Sequence, residues 1–203
     1  ETLVSAATVN REIEAMRRAC VYLADGYSVP EINWSKLKLP EPVGRVRELT
    51  DAAQAALFEQ LPEDLSARAM FAMLSGQRRT AITTLTWSNV DLANRSARVL
   101  TKGGIWHRFP LSPQMIAILA NRPKACPQVF TYECERSAPA KQGNPPRVKG
   151  HRYPFSEDGW KRKWAAALKR AGISDFRFHD LRHTAATRVT RNSGIHAAQR
   201  LLR

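Results

Sequence analysis

Phe176-Arg-Phe-His-Asp-Leu-Arg-His-Thr-Ala-Ala-Thr-Arg188 sets His179 and Arg182 three residues apart at the start of an expected helix. Residues i and i+3 share a helix face, so one imidazole and one guanidinium point the same way. They do so at a helix N-terminus, whose partial positive charge already favours an anion. The stretch reads as a phosphate-receiving helix start.

Immediately upstream, Ser156 is placed to cap a helix with Trp160, Trp164, Ala167 and Leu168 at helical spacing and Gly172 at its end. The tryptophans belong to the core. The opposite face carries Lys161, Arg162, Lys163, Lys169 and Arg170, either as solvated surface or as contacts to a nucleic-acid backbone. Residues 121–152, rich in Pro, Lys, Arg, Gly and Ser, read as a long basic loop of low order in which only Val129 and Phe130 are buried. Before them, a helix is expected from Pro113 to about Leu119. Residues 96–101 alternate in the strand manner, and Gly103-Gly104 can supply positive φ for a tight hairpin into 105–111. Lys102 then sits at the lip of that hairpin.

Further out, Thr50 is a plausible N-cap for a helix over 51–61, and a second, almost wholly apolar helix runs from about Leu65 to Ser75. Gly76 interrupts it. Gln77, Arg78, Arg79 and Thr80 follow, before Ile82, Leu85 and Trp87 resume a helical stripe. Two adjacent arginines at a break between buried helices imply a partner for at least one of them. Val9, Ile13, Met16, Ala19, Cys20 and Leu23 mark an amphipathic helix over 7–23, and Pro30, Pro40 and Pro42 mark 29–44 as an extended linker. At the far end, Gly194 stops the opening helix and a last helical segment occupies 195–203.

The bulk composition narrows the class. With 43% hydrophobic and 25% charged residues in 203, the chain reads as a globular protein of one ordinary domain plus a small appendage. No apolar run approaches a membrane span and no signal peptide opens the chain, so a cytoplasmic protein is expected. Lys and Arg number 32 against 18 Asp and Glu, giving +14, the footprint of a polyanion binder. That balance alone also fits a ribosomal protein or an anionic membrane surface. Cys20, Cys126 and Cys134 form no Cys-x-x-Cys pair, which leaves no zinc or redox motif.

Gly76-Gln77-Arg78-Arg79, Thr101-Lys102 and His179-Asp180-Leu181-Arg182-His183-Thr184 resemble, in order and spacing, the three active-site boxes of tyrosine recombinases, the phage-integrase family. The resemblance covers Thr50 to Arg203 closely. It implies an α+β, mainly α-helical catalytic core with a small β-hairpin sheet over 45–203. Residues 1–28 would be the remnant of a helical, SAM-like core-binding domain, joined by the linker at 29–44. By the same resemblance Arg78 and Arg182 clamp the scissile phosphate, Lys102 protonates the leaving 5′ oxygen and His179 assists proton movement. Arg79, Lys161, Arg162, Lys163 and His183 are candidate DNA contacts, with a structural role open for Arg79 and a packing role for His183. The implied partners are double-stranded DNA carrying attachment sites and, for the full-length protein, further copies of itself on that DNA. No membrane, cofactor or metal is implied.

The physical logic stands beside the resemblance. Phosphodiester exchange passes through a pentavalent phosphorus with extra negative charge on its non-bridging oxygens, and guanidinium forks meet such oxygens bidentately. A hairpin lysine can protonate a leaving alkoxide. This sequence departs from the family pattern at Ala81, where an acidic residue is usual, and at Thr80, Gln77 and His107. Leu201-Leu202-Arg203 stands at the start of the family's Leu-Leu-Gly-His box, so the second histidine and the nucleophilic tyrosine are expected beyond Arg203. None of Tyr22, Tyr27, Tyr132 or Tyr153 stands in for that tyrosine. The expectation is a fragment that binds DNA without cleaving it; the alternative is a catalytically degenerate DNA-binding homologue.

Overall fold

The computed structural model describes residues 4–42, 47–101, 103–141 and 145–202, and the chain forms two compact units, 1–45 and 46–203. In the first, α1 (Ala6–Leu23) begins at Ser5, whose hydroxyl accepts from the Thr8 amide. Asn10 of α1 donates to the Leu39 carbonyl and the Glu41 carboxylate and accepts from the Leu39 amide, so residues 39–41 lie against the helix. The stretch expected to be extended contains one helical turn, α2 (Trp34–Leu37). The Asn33 side chain caps it by accepting from the Lys36 amide, and its sequence contains no proline.

The second unit is α-helical around two small sheets. Thr50 caps α3 (Asp51–Gln60) by accepting from the Ala53 amide. Then comes α4 (Glu63–Ser75), which buries Leu65, Ala69, Phe71, Ala72 and Met73 and packs on the later helices over 79–83, 113–120 and 180–193 and on the strand at 131–133. Helix α5 (Arg79–Thr83) and a 3₁₀ turn at Trp87–Asn89 lead into an antiparallel sheet of β1 (Val90–Asp91), β2 (Ser96–Leu100) and β3 (Trp106–Pro110). Helix α6 (Pro113–Ala120) follows, then a second antiparallel pair, β4 (Thr131–Glu133) with β5 (Arg152–Pro154). Three helices close the unit: α7 (Lys161–Arg170), α8 (Asp180–Ser193) and α9 (Ile195–Leu202). Phe71 sits at the middle of the core, its ring against Phe109 of β3 and Phe130 before β4. Each such fully buried large side chain contributes about 1.5–3 kcal/mol. The α+β, mainly helical architecture is the one expected.

Four further local expectations are corrected, all in the second unit. The stripe through Ile82, Leu85 and Trp87 is not one helix, because the Thr83 and Thr84 hydroxyls donate one turn back to the Arg79 and Thr80 carbonyls and compete with continuation. Leu85 then accepts from the Val129 amide instead of from its own helix. A third strand, β1, joins the hairpin, because Asp91 accepts from Asn94 in a turn that Arg95 completes at φ +47°. Residues 121–152 are not of low order where described. Arg122 pairs with Glu63 and Asp64, and Arg152 binds Asp64 and Thr131, so acids in the first turn of α4 anchor the segment. Finally, Ser156 accepts from the Gly159 amide in a turn, and α7 starts only at Lys161.

Candidate active site

The opening stretch folds as the N-terminal turn of α8. His179 is its first, flanking residue, and the Asp180 carboxylate reaches back to accept from the Arg177 amide at 2.8 Å, which suits both the free amides and the helix dipole. Buried Thr184 donates to the Asp180 carbonyl and accepts from the Leu49 amide, tying this helix end to the chain that enters α3. The turn is therefore held from both sides before any ligand arrives.

Arg182 is half-buried and bridges two other elements. Its Nη1 donates to the Gly76 carbonyl and its Nη2 to the Leu202 carbonyl, each at 2.6 Å. Gln77, itself buried, donates to the Leu201 carbonyl at 3.1 Å. Gly76 meets both demands of this junction. It ends α4 at φ +62°, and a Cβ there would lie 3.1 Å from the Leu201 and Leu202 side chains. Two of the five guanidinium N–H groups of Arg182 are thus engaged by carbonyls, leaving donors for a further acceptor.

Arg78 is the residue preceding α5, half-buried, and lines a cleft of about 350 Å³ with Thr80, Thr84 and the hairpin residues Leu100 and Thr101. Its charge reaches both Arg182 and His179. Burial, then Arg78, lowers the Arg182 guanidinium from its ordinary value. The His179 imidazole is lowered first by desolvation, although part of the ring remains exposed, then by His183, Arg182 and Arg78, with Asp180 opposing. The two histidine rings meet edge to face at 5.5 Å. The two arginines repel each other and disfavour a proton on His179, a field suited to an anion.

The hairpin neck beside this cleft is closed by the Thr101 amide and hydroxyl, both donating to the Ile105 carbonyl at 2.9 Å, with Gly103 and Gly104 at φ +109° and +79°. Lys102 lies outside the described residues. Ala81, at the position where the family usually has an acid, is buried.

The candidate DNA contacts are dispersed and several are engaged within the protein. Arg79 turns to Glu157, with its Nη1 3.3 Å from the carbonyl and its Nη2 3.5 Å from the carboxylate, and lies over the Trp160 ring. Lys161 pairs with Asp158 and Lys163 with Glu135, while Arg162 is exposed. Trp160 and Trp164 are core, their rings tilted and edge-on against Phe178.

One residue of the site's framework was not singled out in the sequence. Arg68 of α4 is fully buried in a box of Phe155, Trp160 and Phe178, its guanidinium carbon 4.8, 5.0 and 5.1 Å from the three rings. Its Nη2 donates to the Thr83 hydroxyl at 2.5 Å, and that hydroxyl donates to the Arg79 carbonyl. Burial, then the nearby Arg79, pushes its pKa down to about 10. Arg68 thus touches Phe178, which precedes His179, and through Thr83 the first turn of the helix that Arg78 leads. A signal was present, since Leu65, Arg68, Ala69 and Ala72 fall at the i, i+3, i+4, i+7 positions of one apolar face.

The family model described as "Phage integrase family" matches residues 44–203. The integrase of Salmonella phage P22 is 34% identical over 164 residues, covering 74% of this chain and 39% of that protein. The shufflon-specific DNA recombinase of Escherichia coli is 28% identical over 149 residues, covering 71% of this chain and 33% of its own length. The chain therefore spans between a third and two fifths of these curated relatives. Among solved structures, a lambda integrase (75–356) dimer bound to a COC' core site aligns with a TM-score of 0.66 at 18% identity, covering 95% of this chain and 69% of that one, a likeness of fold.

Proposed function

The chain belongs to the phage integrase family, and on that premise we propose that it is the phosphate-binding part of a DNA strand-transfer site in a site-specific recombinase. One observation carries the reading: Arg78, Arg182 and His179 converge from two elements at a helix N-terminus, and no carboxylate neutralises either arginine among the described residues. In the proposed chemistry, Arg78 and Arg182 hold the non-bridging oxygens of the scissile phosphate as negative charge grows on them. His179 exchanges a proton beside that phosphate, and Lys102, next to Thr101 at the rim of the Arg78 cleft, protonates the leaving 5′ oxygen. A tyrosine attack forms a phosphotyrosine link, which a partner strand's hydroxyl reverses, so the bond energy is retained without a nucleotide or metal. The P22 integrase and the shufflon recombinase support this substrate class by name, and the lambda neighbour by the core site it holds.

Neither Tyr132 nor Tyr153 fits the nucleophile's part. Their rings pair in the β4–β5 sheet at 6.3 Å, and the Tyr153 hydroxyl accepts from the Val148 amide. For these 203 residues the proposal is therefore DNA binding without cleavage. Residues 1–28 are proposed as the end of a core-binding domain and 45–203 as catalytic. A second reading, a degenerate homologue that occupies sites without cutting them, is favoured by buried Ala81 in place of an acid. The test is duplex binding together with trapping on a nicked suicide substrate. The chain should bind, Arg78→Ala and Arg182→Ala should each weaken binding by roughly ten-fold or more, and the full-length protein should leave a covalent adduct. Binding by the full-length protein with no adduct supports the degenerate reading; no binding at all defeats both.

A further inference from the structure

The three-stranded sheet turns Ala97, Val99 and Phe109 inward and leaves Arg98, Leu100, Trp106 and Arg108 outside. In its register Arg98 stands directly opposite Arg108, and Leu100 opposite Trp106. Like charges directly opposite on a sheet face destabilise the pair. The fold orients these two without cancelling them. Arg98 gives its Nε to the Asn89 side-chain carbonyl at 2.7 Å and lies over the Trp106 ring at 5.0 Å. Arg108 gives Nε and Nη2 to the Ser96 hydroxyl at 3.0 and 2.8 Å. Asp91 approaches Arg108 only to 3.8 Å, and its carboxylate is already bound by the Asn94 amide and side chain at 2.9 and 2.7 Å.

An open cleft of about 330 Å³ lies between the two arginines, bordered also by Ser88, Asn89, Asp91 and Ser96. The same sheet face leads to the active-site cleft, since Leu100 lines that cleft together with Arg78. We infer that Arg98 and Arg108 form a second phosphodiester site, which grips the backbone of the DNA duplex whose scissile phosphate lies at Arg78 and Arg182. The inference rests on the recombinase reading. Two forked guanidiniums, each with N–H groups to spare and hydrogen-bonded only to neutral hydroxyl and amide oxygens, with Asp91 no nearer than 3.8 Å to Arg108, are built to receive phosphate oxygens. A duplex bound there also relieves the cross-strand repulsion that the free protein tolerates, and the excess of +14 on the whole chain favours the approach of such a partner.

The experiment is a salt titration of duplex binding by the whole chain, its Arg98→Gln/Arg108→Gln variant and its Arg98→Lys/Arg108→Lys variant. Each phosphate contact contributes about 0.9 to the slope of log K against log salt, so the glutamine pair should lose roughly 1.8 and the lysine pair much less. The glutamine pair should melt no lower than the parent, because it removes a like-charge pair. If it melts early, the single Arg98→Gln variant carries the test, with an expected loss of about 0.9. A parent that binds with a slope these substitutions leave unchanged overturns the second site alone. A parent that does not bind DNA overturns the recombinase reading, and the second site with it.

Discussion

Arg68 and Arg182 are both drawn away from water in one helical unit, yet their surroundings give them opposite properties. Arg68 is fully buried, enclosed by three aromatic faces and one threonine hydroxyl, so its charge is met by ring quadrupoles and no ligand can reach it. Arg182 is half-buried and held by two backbone carbonyls, with Arg78 adding a like charge. Carbonyls fix the plane of a guanidinium without neutralising it, whereas a carboxylate would do both. The proposed strand-transfer site needs the first arrangement, because positive charge cancelled within the protein is lost to a phosphate. The aromatic box serves the other need, a rigid frame that brings no anion near the site.

The largest effect should come from breaking the box. Arg68→Ala opens a cavity among Phe155, Trp160 and Phe178 and should cost about 3 kcal/mol of unfolding free energy by denaturant titration. Arg68→Met fills most of that space without a charge and should be near neutral, or stabilising by about 1 kcal/mol, since it removes a buried cation that has no anionic partner. If methionine is as damaging as alanine, the charge itself holds the frame and the contrast with Arg182 fails.

Next in size is Arg182→Ala, which leaves the Gly76 and Leu202 carbonyls without their donor and should cost about 2 kcal/mol, offset in part by relief of repulsion with Arg78. Arg182→Lys keeps the charge but has no fork to span two carbonyls. It should therefore recover duplex affinity better than stability. Equal recovery of both would mean that the two-carbonyl bridge does not position the residue.

What the sequence made legible follows the same division. Thr50, the Gly76 break, the Gly103-Gly104 turn and the His179-to-Thr184 helix start were readable because each depends on local backbone chemistry. The order inside 121–152 was not readable, since it depends on Arg122 and Arg152 reaching Glu63 and Asp64, about sixty to ninety positions earlier in sequence. Local composition reported only basic residues and prolines. Arg68 lay between these cases. Its place on the apolar face of α4 was visible, but the rings that make that place tolerable come from the residue after β5 and from the entrances to α7 and α8.

Thr83→Val is a smaller change, removing the hydroxyl that joins Arg68 to the Arg79 carbonyl while keeping the side chain's shape. A loss of about 1 kcal/mol is expected, with Arg68→Met/Thr83→Val losing less than the two single changes added together. Strict additivity would mean that the pair is not coupled, and that the aromatic box alone holds Arg68.

The smallest effect, and the most specific to the repelling cluster, is on pH. His179 has a folded pKa below its ordinary 6.5, with desolvation first among the causes and neighbouring cations adding to it. Between 6.5 and that lower value the unfolded chain binds a proton that the folded chain does not. Stability contributed here is thus complete above about pH 6.5 and declines as pH falls through it. A phosphate seated at Arg78 and Arg182 reverses the share of the shift that the cations cause and raises the His179 pKa. Duplex binding below pH 6.5 should then take up a proton and tighten on acidification, while the free protein loses stability over the same range. His179→Gln should flatten both slopes. An NMR titration that finds His179 at or above 6.5 in the free protein would show that the cluster is already neutralised, leaving Arg182 no more available to a ligand than Arg68.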